Sequence, residues 1–287
     1  MGDMAVESVV AKGTVVKKDE AKKQEKKVPA GVRTDYIRGG LEDIYQKREG
    51  GPTVFYGPFM ISIFEKDIYR VDGPRTQQVH FPLNLAGVNF PIKFDEKGRF
   101  TATPYFLYGT TGVDATIRTN TKFGQTTTSL SSKSGDYGSV GIRLRYAVDD
   151  PNQTVITAMA STGKGTISVH QSPTKLGNTT VAPAADGIGE VYASEWQIGA
   201  SQNIIGKPGK PGSVRAAITY GQKHDGVRWG TTSTSDARVN SLGLEWKASD
   251  DFTVSGKVNM TNFGVSGLTG PQSHNNIDFG FGASVKF

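Results

Sequence analysis

Asp278-Phe279-Gly280-Phe281-Gly282-Ala283-Ser284-Val285-Lys286-Phe287 closes the chain and alternates apolar with small or polar side chains up to a terminal phenylalanine. A strand projects successive side chains to opposite faces, so Phe279, Phe281, Ala283, Val285 and Phe287 share one side. Gly280, Gly282, Ser284 and Lys286 share the other. One side suits lipid and the other suits water, which is how a membrane β-barrel ends. An ordinary closing strand of a soluble sandwich would read the same way, so the rest of the chain must decide.

Composition narrows the choice. The 287 residues include 36 glycines, are 36% hydrophobic and carry a formal net charge of +6, and mean hydropathy is −0.38. These values, with abundant Thr and Ser, describe many short strands and turns. No stretch approaches the roughly 18 apolar residues of a spanning helix. If the protein crosses a membrane it does so as a closed sheet, because only helices and barrels satisfy every backbone group in lipid. The absence of cysteine excludes disulfides, thiol catalysis and Cys-ligated zinc. Met1 to Ala11 is mildly mixed and runs into lysines, without the layout of a secretory signal. A native Met1 would favour a barrel made in the eukaryotic cytosol, and otherwise a bacterial outer membrane remains open.

Residues 1–33 contain the charge run Lys17-Lys18-Asp19-Glu20-Ala21-Lys22-Lys23-Gln24-Glu25-Lys26-Lys27, with nothing to bury, and read as a disordered Lys-rich tail. Interleaved acids and missing aromatics give no support to a nucleic-acid role. Residues 34–50 change period: Ile37, Leu41, Ile44 and Tyr45 fall at helical spacing, with acids early, bases late and Gly50-Gly51-Pro52 as a stop, predicting a short amphipathic helix. In a wide barrel that helix would lie in or near the lumen. From residue 53 to 287 a period-2 segment followed by a turn cluster recurs every 10–14 residues. Turns such as Asp95-Glu96-Lys97-Gly98 and Asp149-Asp150-Pro151-Asn152 make consecutive strands antiparallel neighbours. The count comes to about 16 strands, with up to 19 accommodated. So long a meander needs closure to cover its edges. The expected fold is all-β, a closed antiparallel transmembrane β-barrel of about 16–19 strands, with a long loop near residues 174–189.

Chemistry for catalysis is absent. His80, His170, His224 and His274 stand in no metal-ligand spacing and read as ordinary lumen or loop residues, and there is no nucleophile elbow or phosphate loop. No catalytic residue, metal or cofactor is expected. What remains is a pore. Taking the apolar parity as lipid-facing places Lys93, Arg118, Arg143, Arg145, Arg215, Arg228, Lys257 and Lys286 in the lumen, against Asp114, Glu195 and Glu245. This excess of bases predicts a weak preference for anions.

Two stretches resemble the eukaryotic mitochondrial porin superfamily. Asp278, Gly280, Ala283, Val285 and Phe287 are similar to its C-terminal sorting signal, with Ala283 a small residue for its apolar slot and Phe287 equally like a bacterial porin's last residue. Gly39-Gly40-Leu41-Glu42-Asp43-Ile44-Tyr45-Gln46-Lys47 resembles the helix before the first strand of the outer-membrane translocase pore. The resemblance implies a mitochondrial outer-membrane channel passing unfolded precursor polypeptides, in the company of other barrel copies, small single-helix subunits and membrane lipid. A voltage-dependent-anion-channel-like pore for anionic metabolites is the close alternative. A bacterial porin, and a soluble β-barrel or sandwich binding protein, follow.

Overall fold

The computed structural model describes residues 29–39, 45–229, 231–266 and 272–287. In chain order the strands are β1 (Ala30–Gly39), β2 (Tyr45–Tyr56), β3 (Phe59–Asp72), β4 (Arg75–Asn89), β5 (Ile92–Lys93), β6 (Phe100–Thr111), β7 (Asp114–Thr121) and β8 (Gly124–Ala147). Then come β9 (Val155–Gln171), β10 (Thr174–Leu176), β11 (Thr179–Ala182), β12 (Ala185–Ile205), β13 (Val214–Trp229), β14 (Thr231–Lys247), β15 (Phe252–Ser266) and β16 (Gln272–Lys286). β6 and β7 run end to end between β4 and β8 and act as one wall strand. β1 pairs antiparallel with β16, from Gly31 opposite Lys286 to Gly39 opposite Asp278, and this closes the ring. The wall is therefore β1, β2, β3, β4, β6 with β7, β8, β9, β12, β13, β14, β15 and β16, a closed antiparallel barrel of twelve strands.

Its faces are inverted relative to a soluble protein. Phe281 is 69% exposed, Ile218 and Met260 61% each, all on the outside, while Asp278 is 1% and Asn276 4% exposed on the inside. A soluble chain does not leave a continuous apolar belt in water, so the belt marks the surface that lipid covers. On β16 it runs from Ile277 to Phe287, about 34 Å along the strand at ~3.4 Å per residue. At the usual strand tilt that is close to the ~25 Å apolar band of outer-membrane barrels. At the end carrying the short turns Gly57-Pro58 and 148–154, the belt reaches almost to the strand ends. At the other end β8 and β12 extend far beyond it, with 24 and 21 residues, and the β10–β11 hairpin pairs onto β8 there.

The expected helix over 34–50 is corrected. Residues 30–39 and 45–50 are strand, so the barrel starts at residue 30 rather than 53. Of the expected helix residues, Ile37 lies on the inner face of β1, opposite Gly280 and Glu49, Tyr45 opens β2, and Leu41 and Ile44 fall outside the described residues. The physical reason is closure. Without β1 and β2, the edges of β16 and β3 would be bare in lipid, and the glycines at 39, 50 and 51 weaken any helix there. Most of the tail expected over 1–33 also lies outside the described residues.

The strand count is corrected from about 16–19 to twelve. Glycine clusters that read as turns sit inside long strands. The run Ser161-Thr162-Gly163-Lys164-Gly165 belongs to one continuous β9 because Tyr137 lies over Gly163, where a Cβ would come within 2.1 Å of the tyrosine hydroxyl. Glycine in a strand interior here marks close approach, not a turn. Lys133 to Asp136 is likewise a register shift within β8 rather than a break between two strands. The loop expected over 174–189 is instead the β10–β11 hairpin and the start of β12.

Candidate functional site

The bore is the site, and its walls alternate with the lipid face at every strand. Lys66 on β3 and Asp225 on β13 are six wall positions apart in either direction around the ring, so they occupy opposite walls. Yet Lys66 Nζ lies 3.3 Å from Asp225 Oδ2. The ion pair therefore spans the lumen. Beside it Lys223 pairs with Glu195 at 3.7 Å and lies within electrostatic range of Glu49 on β2, which is 7% exposed. Interleaved lysines and carboxylates narrow the bore at this level. Buried charges are tolerated there because each has an opposite neighbour.

Below the constriction, at the depth of the apolar belt, the bore opens into a cavity of about 350 Å³ lined by Thr101, Thr103, Arg143, Arg145, Thr157, Met159, Gln197 and Thr219 among others. Arg143 stacks its guanidinium over the Tyr105 ring, 5.0 Å from the centroid. Tyr105 in turn sits against Gly141, where a Cβ would lie 2.4 Å from the ring. Above the constriction the inner face turns apolar: Val113, Ala115, Ile167, Val169 and Val191 pack together, with Phe81 and Tyr137 against them.

The register places the sequence-derived pore residues as follows. Arg143, Arg145, Arg215, Glu195, Glu245 and Lys257 lie on the inner face, where Arg215 stands opposite Glu245 and donates to Ser201 Oγ at 2.9 Å. Lys93 shares inner parity through its partner Thr101, and Lys286 has inner parity at the end of β16. Arg118, Asp114 and Arg228 face outward, a correction. Asp114 stands opposite His80 and Arg228 reaches Glu190 at 3.6 Å on the outer surface. Apolar residues face lipid only within the belt. Beyond the belt the sheet is wetted outside, so its apolar residues, including Val113 and Ala115, turn inward.

The histidines are neither lumen nor loop residues at three positions. His80, His170 and His224 each face an aspartate directly across the ladder on the outer surface above the belt: Asp67 at 2.7 Å, Asp186 at 2.5 Å, and Asp236. Sequence reading missed these pairs because ladder partners 12 to 16 residues apart carry no local signature. Among the described residues no group of three or more His, Asp or Glu could hold a metal.

The proposed sorting residues have a structural explanation. Asp278 is buried, accepting from Asn276 Nδ2 at 2.5 Å and Thr261 Oγ1 at 3.4 Å. Gly280 leaves room for Lys257, whose Cγ would be 2.6 Å from an added Cβ. Ala283, Val285 and Phe287 have outward parity, and Phe287 donates its backbone N–H to the Ala30 carbonyl at 3.1 Å.

No family model matches the chain, and no curated protein matches it at a significant level. Among solved structures, the translocator domain of autotransporter NalP from Neisseria meningitidis is similar at a TM-score of 0.54 and 12% identity, over 91% of this chain and 88% of that one. The chain has an outer-membrane β-barrel fold. The β domain of the Bordetella autotransporter BrkA aligns over 91% and 99% at 9% identity and a TM-score of 0.47. The Pseudomonas putida toluene transporter TodX aligns over 91% and 90% at 11% and 0.42. The likeness to the NalP domain and the ring of twelve antiparallel strands contradict the resemblance to mitochondrial porins. An even ring closed by an antiparallel pair is the bacterial arrangement, whereas the mitochondrial anion channel has 19 strands. Neither the mitochondrial import pore nor the preference for the outer mitochondrial membrane is supported by this fold.

Proposed function

We propose that the protein is a bacterial outer-membrane channel for small hydrophilic solutes. The observation that carries this reading is the wetted inner wall at membrane depth, with Arg143 and Arg145 exposed into the bore, leading to a constriction crossed by Lys66 and Asp225. An ion pair spanning the lumen leaves no width for a polypeptide strand, which favours small solutes over protein cargo. The short-turn end, which carries residues 29 and 287, faces the periplasm, and the long strands of β8 and β12 stand outside the cell. Lipid covers the apolar belt.

Reconstitution into planar bilayers tests the proposal. Discrete single-channel steps in potassium chloride, with swelling of liposomes in small sugars or amino acids, are expected. A folded, heat-modifiable protein that inserts and yet conducts nothing would refute it. A second reading, the translocator of a larger secreted chain, is favoured by the overlap with nearly the whole NalP translocator domain. A passenger fused ahead of residue 29 and displayed on the cell surface would support it.

A further inference from the structure

The bore wall at membrane depth carries two arginines that have no carboxylate partner among the described residues. Arg143 and Arg145 are two residues apart on β8 and therefore on the same face, with Cα atoms about 6.8 Å apart along the strand. Both are exposed into the lumen. Among the described residues no carboxylate pairs with either, whereas several acids elsewhere on the bore wall are engaged with other bases: Glu195 with Lys223, Asp225 with Lys66, Asp35 with Arg33 at 2.6 Å. Arg143 lies over the Tyr105 ring, a contact that steadies the side chain without neutralising its charge.

The surroundings supply neutral donors and no acid. Thr103 stands opposite Arg143 and Thr101 opposite Arg145 on β6, and Thr157 opposite Arg145 on β9. Thr219 and Gln197 complete the polar lining, while Met159 is the apolar side chain of the inner wall there. Two like charges set side by side repel, and the arrangement is relieved when an anion lies between them. A guanidinium offers a planar fork that matches the paired oxygens of a carboxylate or phosphate. Low-dielectric walls strengthen that attraction.

We propose that Arg143 and Arg145, with the threonines around them, form a binding site for one small oxyanion, a carboxylate or phosphate group carried by a permeating solute. The site rests on the channel reading for access and gives that channel its substrate class. It acts as a way station: an anion entering the bore from the short-turn end is held at the arginine pair before it meets the Lys66–Asp225 constriction.

The test uses the full chain, folded and checked by heat-modifiable mobility, with inorganic phosphate and succinate as probes. In planar bilayers carrying chloride current, each probe is added in steps. Saturable block is expected in the parent protein. The half-blocking concentration should rise tenfold or more in R143Q/R145Q, rise less in the R143K/R145K variant, which keeps charge without the fork, and stay put in R118Q on the outer face. Block by only one of the two probes supports the site and tells which oxyanion it takes. Normal conductance with no block by either probe, or equal block in R143Q/R145Q, overturns it. Calorimetric titration of the detergent-solubilised protein with the same probes separates the two proposals. Binding lost in R143Q/R145Q without any conductance would sustain the site and sink the channel, and no binding in the parent protein would sink the site.

Discussion

Lys66 Nζ and Asp225 Oδ2 meet at 3.3 Å although their strands lie on opposite sides of the ring. The pair is partly screened, with side chains 23% and 39% exposed, so its coupling energy should be modest, about 1 kcal/mol. Its effect on the open width of the bore should be larger than its effect on stability. Lys66→Ala and Asp225→Ala are each expected to raise single-channel conductance, and the exchanged pair Lys66→Asp with Asp225→Lys to bring it back toward the parent value. Single-channel recording of the four proteins checks this, and unchanged conductance in both alanine variants would show that the pair is not the narrowest point.

Glycine positions should divide sharply by what stands next to them. A Cβ at position 109 would fall 1.9 Å from the Asn84 backbone oxygen, whereas at position 256 nothing lies within 4 Å. Gly109→Ala should therefore destabilise the barrel by about 1–3 kcal/mol through overpacking against backbone that cannot swing aside. Gly256→Ala should be near neutral. Urea unfolding in detergent, followed by tryptophan fluorescence and gel mobility, reads the contrast.

The two faces of the wall should respond oppositely to added charge. Phe281→Lys puts an ammonium on the lipid side of β16 and is expected to cost about 2–4 kcal/mol near the bilayer centre. Thr157→Lys adds the same charge to the wetted bore and should leave folding nearly intact while strengthening the preference for anions. Equal penalties at both positions would contradict the assignment of faces.

Asp150, in the turn between β8 and β9, is held below its ordinary value of 3.8 by the Thr154 hydroxyl and the Thr154 backbone N–H, the latter at 3.0 Å. A lowered carboxyl contributes stability that is present above 3.8 and is lost as pH falls through the folded value. The melting temperature of Asp150→Asn should therefore lie below that of the parent protein at neutral pH, and the gap should close in acid below 3.8. A gap that persisted there would mean the turn depends on something other than the charged carboxylate.

Much of the architecture was legible along the chain because its signal is local. The alternation at Phe279, Phe281 and Val285 marks the lipid face, and the turn at Asp149-Asp150-Pro151 marks antiparallel neighbours, since both depend on residues close in sequence. The strand count was not legible. Gly163 read as a break, and only the aromatic ring of Tyr137, brought over it by the neighbouring strand, shows why the strand continues. The segment 34–50 failed for the same reason: its helical spacing is a weak local preference, and the unpaired edges of β16 and β3 outweigh it.

Within the candidate site, Arg143 and Arg145 could be assigned to the bore from parity alone, because Ile142, Leu144 and Tyr146 lie at membrane depth where apolar means outside. Asp114 and Arg118 could not, because beyond the belt water replaces lipid and the sign of the pattern reverses. What the amino-acid order determined by itself was a closed sheet with one greasy and one polar face, since side-chain alternation is a property of each strand. Ring size and the meeting of Lys66 with Asp225 were decided only in the tertiary structure, because both depend on how many strands stand between residues 159 positions apart.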